Sequence, residues 1–215
     1  MYQVIKRFFD FICALLAIVV TSPIWIIAII GILISDWGPI FYTAHRIGKG
    51  NKPFKMYKFR SMRVEKTANE ASLRPDEDRI FPFGHFIRKF KIDELPQLYN
   101  ILNGTMSLIG PRPVAQDQFD LFRTGKWNLA AEAPVGLSGP AALYDFIYGD
   151  QFTDEKEYME KVFETRRELE YVYVKKASVF YDLKMILYTV ICIIYAMFGK
   201  ECSWVLNELV ESAKE

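Results

Sequence analysis

Apolar positions crowd the start of the chain and then thin into alternating and periodic patterns. From Phe11 to Ile34 no residue is charged. As a helix that run reaches ~36 Å, enough to cross a bilayer core of ~30 Å. It is too long for a signal-peptide core, and no small-residue cleavage site follows it. Thr21-Ser22-Pro23 interrupts its middle. The proline removes a backbone hydrogen bond and crowds the preceding turn, and a serine hydroxyl folded onto a nearby carbonyl bends a helix. Two geometries fit. A kinked helix can span, because proline is tolerated in membranes, and length and hydropathy favour that form. Alternatively the helix bends at Ser22-Pro23 and leaves by the face it entered. Lys6 and Arg7 precede the run and a longer basic strip follows it; cationic flanks stay cytoplasmic, which fits the second form. Asp10 lies at helical spacing from both Lys6 and Arg7, so an ion pair within the helix is expected.

After Trp37, placed at interface depth, Ile40–Ala44 is short and β-prone, and the two glycines of Arg46–Asn51 predict a turn. Phe54–Arg60 alternates apolar and basic residues, which predicts a half-exposed strand carrying Lys55, Lys58 and Arg60. Val64–Asp78 is polar, a loop or exposed helix. Arg79–Lys91 is aromatic and partly amphipathic, a helix at the membrane face. Leu95, Leu98, Tyr99, Ile101 and Leu102 predict a helix with Asp93 near its N-cap and Pro96 as its third residue, where a missing N–H costs nothing. Val114–Trp127 reads as a helix, Ala133–Pro140 as a stiff, glycine-punctuated loop, and Tyr158–Tyr173 as a charged helix. The uncharged run Met185–Phe198 is too short to span and predicts a buried or interface-lying helix. Ser203–Lys214 predicts a short amphipathic tail.

Composition narrows the classes. Hydrophobic residues make up 51 % of the 215 and the formal charge is +1, so overall charge gives no support for nucleic acid. The charge is unevenly placed: Arg46, Lys49, Lys52, Lys55, Lys58, Arg60 and Arg63 follow one another without an acid. Such a strip suits an anionic membrane surface or phosphates. The three cysteines, Cys13, Cys192 and Cys202, lack metal-ligand spacing, and their odd number points to a reducing compartment. Two histidines, His45 and His85, are too few for a histidine-based metal site.

Candidate chemistry concentrates between Arg88 and Pro113. The adjacent acids Asp93 and Glu94 diverge by ~100° on a helix, so one can attack while the other holds a metal. A helix N-terminus favours a carboxylate and keeps Asp93 ionised, as a nucleophile requires. Alone, such a pair is usually only a cap. Downstream, Gly110-Pro111-Arg112-Pro113 presents one arginine from a stiff loop, and a fixed guanidinium grips phosphate with two parallel hydrogen bonds. Arg88 is turned toward the acids or anchors a lipid headgroup.

DELPQL followed by GPRP, after a basic KFRSM segment and an N-terminal apolar stretch, resembles the bacterial sugar transferase family, the monotopic phosphoglycosyl transferases of minimal, catalytic-domain type. The similarity runs from about Lys6 to about Thr189. It implies an α+β, mainly helical fold: a re-entrant membrane helix over 1–37 broken at Ser22-Pro23, a small cytosolic catalytic domain with interface-lying amphipathic helices over 38–199, and a tail helix over 200–215. It implies transfer of a sugar-1-phosphate from a nucleoside diphosphate sugar, a UDP-sugar first, to a polyprenyl phosphate at the cytoplasmic face of the bacterial inner membrane. Asp93 is then the nucleophile and Glu94 the Mg²⁺ ligand, with Arg88, Arg112, Lys58 and Arg60 on phosphates. Membrane lipids are further partners, nucleic acid is not, and a homodimer stays open. The loop at 133–142 departs from the family pattern, with Ser138 for threonine and Ala142 for glutamine, and Glu170 stands where aspartate is common. The competing reading is a non-enzymatic bitopic anchor with a basic lipid- or partner-binding module.

Overall fold

The computed structural model describes residues 1–64 and 77–214; most of the polar stretch Val64–Asp78 therefore lies outside the described residues. In chain order the elements are helix α1 (Tyr2–Ser35), strands β1 (Phe41–Ile47) and β2 (Pro53–Phe59), helices α2 (Pro82–Lys89) and α3 (Gln97–Asn103), strands β3 (Ser107–Ile109) and β4 (Val114–Ala115), helix α4 (Phe119–Phe122), strand β5 (Gly136–Ser138), and helices α5 (Pro140–Ile147), α6 (Glu155–Lys161), α7 (Phe163–Lys176), α8 (Val179–Met197) and α9 (Ser203–Ser212). Among the described residues the chain is mainly helical with two small sheets: β1 lies between β2 and β4, antiparallel to both, and β3 pairs in parallel with β5.

Helix α1 runs unbroken through Pro23. Pro23 cannot donate to the Val19 carbonyl four residues back, and the Ser22 hydroxyl donates to that same oxygen at 2.8 Å. The orphaned acceptor is thereby satisfied. One stripe of α1 packs along the rest of the molecule. Ala14 joins Leu98, Ile101 and Met106, while Ala28 and Ile32 join Phe59, Phe81 and Ile87. Polar ties fasten both ends. Lys6 reaches Asp182 on α8 at 2.8 Å, Arg7 donates to the Ile101 and Leu102 carbonyls at the end of α3, and Asp10 accepts from Ser107 Oγ at 2.7 Å and Leu108 N at 3.0 Å. The expected pairing of Asp10 with Lys6 or Arg7 therefore gives way to tertiary partners, since a buried charge needs specific bonds to offset desolvation. The outer face of α1, including Val4, Phe8, Leu16, Val20, Ile27 and Ile34, is exposed. So is a face of α8 with Phe180, Leu187, Val190 and Met197. Patches of this extent mark contact with lipid or another protein. By length and composition both helices could cross a membrane; α8 outgrows the uncharged run expected of it by starting at Val179.

The predicted strands and turn are present as the β1–β2 hairpin, with Gly50 and Asn51 in the left-handed region at the turn. Two predictions fail. Val114–Trp127 is not one helix: Val114–Ala115 pairs with the free edge of β1, and Gly125, at φ 55°, separates α4 from a 3₁₀ stretch. The charged segment Tyr158–Tyr173 divides into α6 and α7 at Val162. A large cluster gathers Tyr144, Tyr158, Leu169, Tyr173 and Met185 with Val205 and Leu209 of α9, so the C-terminal helix packs into the core.

Helix α2 can lie against the chain leaving β2 only because Gly84 has no side chain. A Cβ there would stand 2.1 Å from the Ser61 carbonyl oxygen. Gly84→Ala is therefore expected to destabilise the fold by about 1–3 kcal/mol and to move Arg88, one turn further on. Denaturant unfolding checks the first and turnover the second; unchanged values for both would contradict this packing.

Candidate active site

Asn100 sets the frame. Fully buried, it accepts from Tyr57 N at 3.0 Å and donates to the Lys55 carbonyl at 2.8 Å, bolting α3 to β2. The segment before α3 is a 3₁₀ turn, Ile92–Glu94, preceded by Lys91 in the left-handed region at φ 54°. That turn delivers both acids toward Lys58 of β2, whose Nζ lies 3.0 Å from Glu94 Oε1 and 3.9 Å from Asp93 Oδ2. The α-helical N-cap expected for Asp93 is not formed: α3 begins at Gln97, after Pro96. Asp93 is instead 4 % exposed and its Oδ1 is buried without a hydrogen-bond partner.

The charge balance also differs from the expectation. Burial pushes the Asp93 carboxyl above the usual range and Glu94 adds repulsion, against Lys58, Arg88 and Lys91, which oppose the shift. Burial acts on Glu94 in the same direction, but Lys58, Lys91 and Arg112 outweigh it and hold that carboxyl down at about 2. Glu94 carries the settled negative charge and Asp93 a buried oxygen without a protein partner.

The GPRP arginine is held by more than its prolines. Gly110 N donates to the Ser138 carbonyl at 2.9 Å and Gly136 N to the Pro111 carbonyl at 2.8 Å, so the loop is stitched to β5. A Cβ on Gly110 would meet the Pro134 carbonyl oxygen at 2.2 Å. Within the expected loop 133–140, Gly136–Ser138 is thus the second strand of a parallel pair. Arg112 Nε lies 3.6 Å from Asp145. Burial disfavours its charge, but Asp145 and Glu94 more than compensate and hold the guanidinium protonated.

Lys58, Arg88, Asp93, Glu94 and Arg112 line one cavity of about 650 Å³. Arg88 stands near Asp93, with its Nη1 3.5 Å from Ser61 Oγ. Arg60 reaches the same cavity, but its guanidinium is bonded to the Asp36 side chain, the Asp36 carbonyl and, at 2.5 Å, the Pro39 carbonyl. Its donors tie down the chain leaving α1, so a phosphate at this position would compete with those bonds. Ser22 and Pro23 are exposed on α1, outside the cavity. The cavity also contains groups that sequence reasoning missed: Gln97, Asp145, Tyr158 and Arg166. Asp145 carried a signal, as a lone carboxylate in the apolar run AALYDFIY. Arg166 carried none, because it sits in a segment that reads as a solvated charged helix.

Among the described residues no group of three or more His, Cys, Asp or Glu side chains gathers to hold a metal. Two carboxylates are nevertheless sufficient for Mg²⁺, which keeps several waters and shares substrate phosphates. The partnerless Asp93 Oδ1 and the Glu94 carboxylate fit that demand.

An acid pair walled by cations, mounted against a long apolar helix, suits an enzyme that handles phosphorylated substrates beside a lipid phase. The chain belongs to the bacterial sugar transferase family, whose model matches residues 1–196. It is 36 % identical over 188 residues to the sugar transferase EpsL of Bacillus subtilis (strain 168), covering 87 % of this chain and 86 % of that one. It is 33 % identical over 193 residues to the UDP-glucose:undecaprenyl-phosphate glucose-1-phosphate transferase of Escherichia coli (strain K12), and 44 % identical over 123 residues to the UDP-N-acetylgalactosamine-undecaprenyl-phosphate N-acetylgalactosaminephosphotransferase of Aeromonas hydrophila. These matches cover 87 % and 55 % of this chain, but only 40 % and 29 % of the two longer relatives.

Proposed function

We propose that the chain transfers a sugar-1-phosphate from a nucleoside diphosphate sugar, a UDP-sugar first, to a polyprenyl phosphate at the cytoplasmic face of the inner membrane. The observation that carries this reading is the partnerless, buried Asp93 Oδ1 in a cavity lined by Lys58, Arg88 and Arg112. Asp93 attacks the β-phosphorus; an Asp–O–P bond forms, the bridging P–O bond breaks, and nucleoside monophosphate leaves with that electron pair. An oxygen of the lipid phosphate then displaces Asp93, which regains its charge. Lys58, Arg88 and Arg112 stabilise the charge that collects on the transferring group. Glu94, with Asp93 beside it, would hold Mg²⁺, which when bound neutralises the diphosphate. The activities for which the relatives in Escherichia coli and Aeromonas hydrophila are named support both substrate classes.

Helix α1 is read as re-entrant. Both of its ends are fastened to one body, through Lys6 and Arg7 at the start and through Asp36 to Arg60 at the finish, and basic flanks favour one side. Single cysteines placed at Gln3 and Trp37, with the native cysteines replaced, are expected to react with an impermeant thiol reagent from the same side of sealed vesicles. Labelling from opposite sides would establish a spanning helix.

The reaction is tested with protein in lipid nanodiscs, a panel of sugar nucleotides, undecaprenyl phosphate and Mg²⁺. Release of nucleoside monophosphate with one donor, lost on chelation and restored by Mg²⁺, is expected. Silence across the panel would favour the membrane-anchor reading, which leaves the acid pair and its cationic walls without a purpose.

A further inference from the structure

One polar cluster in the cavity has no part in that chemistry. Asp145 of α5 is 6 % exposed, yet it faces two guanidinium groups: Arg112 Nε at 3.6 Å and Arg166 Nε, from α7, at 3.3 Å. Tyr158 of α6 donates its hydroxyl to Asp145 Oδ1 at 2.8 Å and accepts from Arg166 Nη1 at 2.7 Å. Arg166 is pinned from the other side by the Phe122 ring, 4.5 Å from its guanidinium carbon. Three helices thus hold one carboxylate in a fixed place beside the GPRP loop.

Stability alone is a poor reason for such a cluster. Buried ion pairs often do no better than apolar residues of the same volume, because desolvation cancels the attraction. The geometry supplies another reason. Asp145 meets Arg112 at Nε, and no protein group among the described residues is hydrogen-bonded to the two Nη atoms. That edge is free to take two phosphate oxygens in parallel. Glu94 competes electrostatically for the same guanidinium, and pairing with it would turn the arginine onto the acid pair.

We propose that Asp145, held by Tyr158 and Arg166, is a positioning residue for Arg112: it draws the Nε edge by an ion pair, aims the Nη edge at the transferring phosphate and keeps the arginine from collapsing onto Glu94. The inference rests on the transferase reading above. It assigns to α5, α6 and α7 a role in catalysis although none of them carries a reacting group.

The test is a double-mutant cycle on nucleoside monophosphate release in nanodiscs. Asp145→Asn should lower kcat/KM for the sugar nucleotide about a hundredfold, as misplacement of a substrate-orienting group does. Tyr158→Phe, which loosens Asp145 without removing its charge, should lower it about tenfold. In an Arg112→Ala background neither change should lower the rate further by more than about twofold, because there is no guanidinium left to aim. A structural role predicts the opposite: losses that multiply with Arg112→Ala, or a lowered melting temperature at unchanged kcat/KM. Either result would overturn the proposal. Should Asp145→Asn fail to fold by circular dichroism, Tyr158→Phe decides alone. A wild-type protein that releases no nucleotide with any donor would remove the transferase reading itself, and this inference with it; an active wild type with multiplicative variants removes the inference alone.

Discussion

Asp93→Asn is expected to abolish release of nucleoside monophosphate, by on the order of 10³-fold or more, while the protein stays folded. The size follows from the role. An amide has almost the shape of a carboxylate but is no nucleophile toward phosphorus, so the covalent route closes and no other side chain replaces it. Folding is spared because Asp93 Oδ1 makes no hydrogen bond and the nearest cation, Lys58 Nζ, lies 3.9 Å from Oδ2. Burial already works against the charge on this group, so removing that charge leaves the fold no worse off. Turnover and a melting curve on the same preparation check both halves. Retained turnover would remove Asp93 from the reaction.

Glu94→Gln is expected to lower turnover by about 10²–10³-fold, as removal of a charge that organises phosphate chemistry does, but through a different route. Glu94 is the stably ionised member of the pair, held at about 2 against burial by Lys58, Lys91 and Arg112. Losing it frees Lys58 from its 3.0 Å contact and takes away the carboxylate proposed to hold Mg²⁺. Its neutralisation also removes the repulsion that helps to raise Asp93. In chelator-treated protein the Asp93 carboxyl, followed by carbon-13 NMR, is therefore expected to titrate above its ordinary value of 3.8 in the wild type. It should titrate lower in Glu94→Gln, and higher in Lys58→Met, where the attraction that opposes burial is gone. The sign is what discriminates. A carboxylate nucleophile is lost as pH falls through its folded value, so the acid limb follows these shifts, and movement of both variants in one direction would contradict the assigned partners.

Much of this site was legible before any coordinates. The alternation of Phe54–Phe59 gave strand β2, with Lys58 beside the acids, because a period of two is a local property of the chain. The GPRP turn was legible as stiff, since two prolines restrict it locally. Its actual hold, the parallel pairing of Ser107–Ile109 with Gly136–Ser138, was not, because glycine and proline leave no periodicity and the partner strand lies far along the chain. Arg60 shows a second difficulty. A basic strip announces positive charge, but which cation meets a ligand depends on which one finds an internal acid first, and Arg60 finds Asp36. Burial of Asp93 was hidden for a related reason: the turn that carries it lies against Lys58 of a separate strand, which the DELP motif does not encode. Asp145, Tyr158 and Arg166 meet only because three separate helices converge, a fact of topology that spacing in the sequence does not carry.

The central claim is a transient bond between one aspartate and phosphorus. Its most direct measurement is intact-protein and peptide mass spectrometry after incubation with the preferred sugar nucleotide and no lipid acceptor, quenched rapidly in acid. A mass increase equal to the phosphosugar, located on the peptide containing Asp93, absent in Asp93→Asn and discharged by added undecaprenyl phosphate, is the predicted result. An active enzyme whose Asp93 peptide remains unmodified under the same quench, with the sugar phosphate passing to lipid in a single displacement, would contradict it.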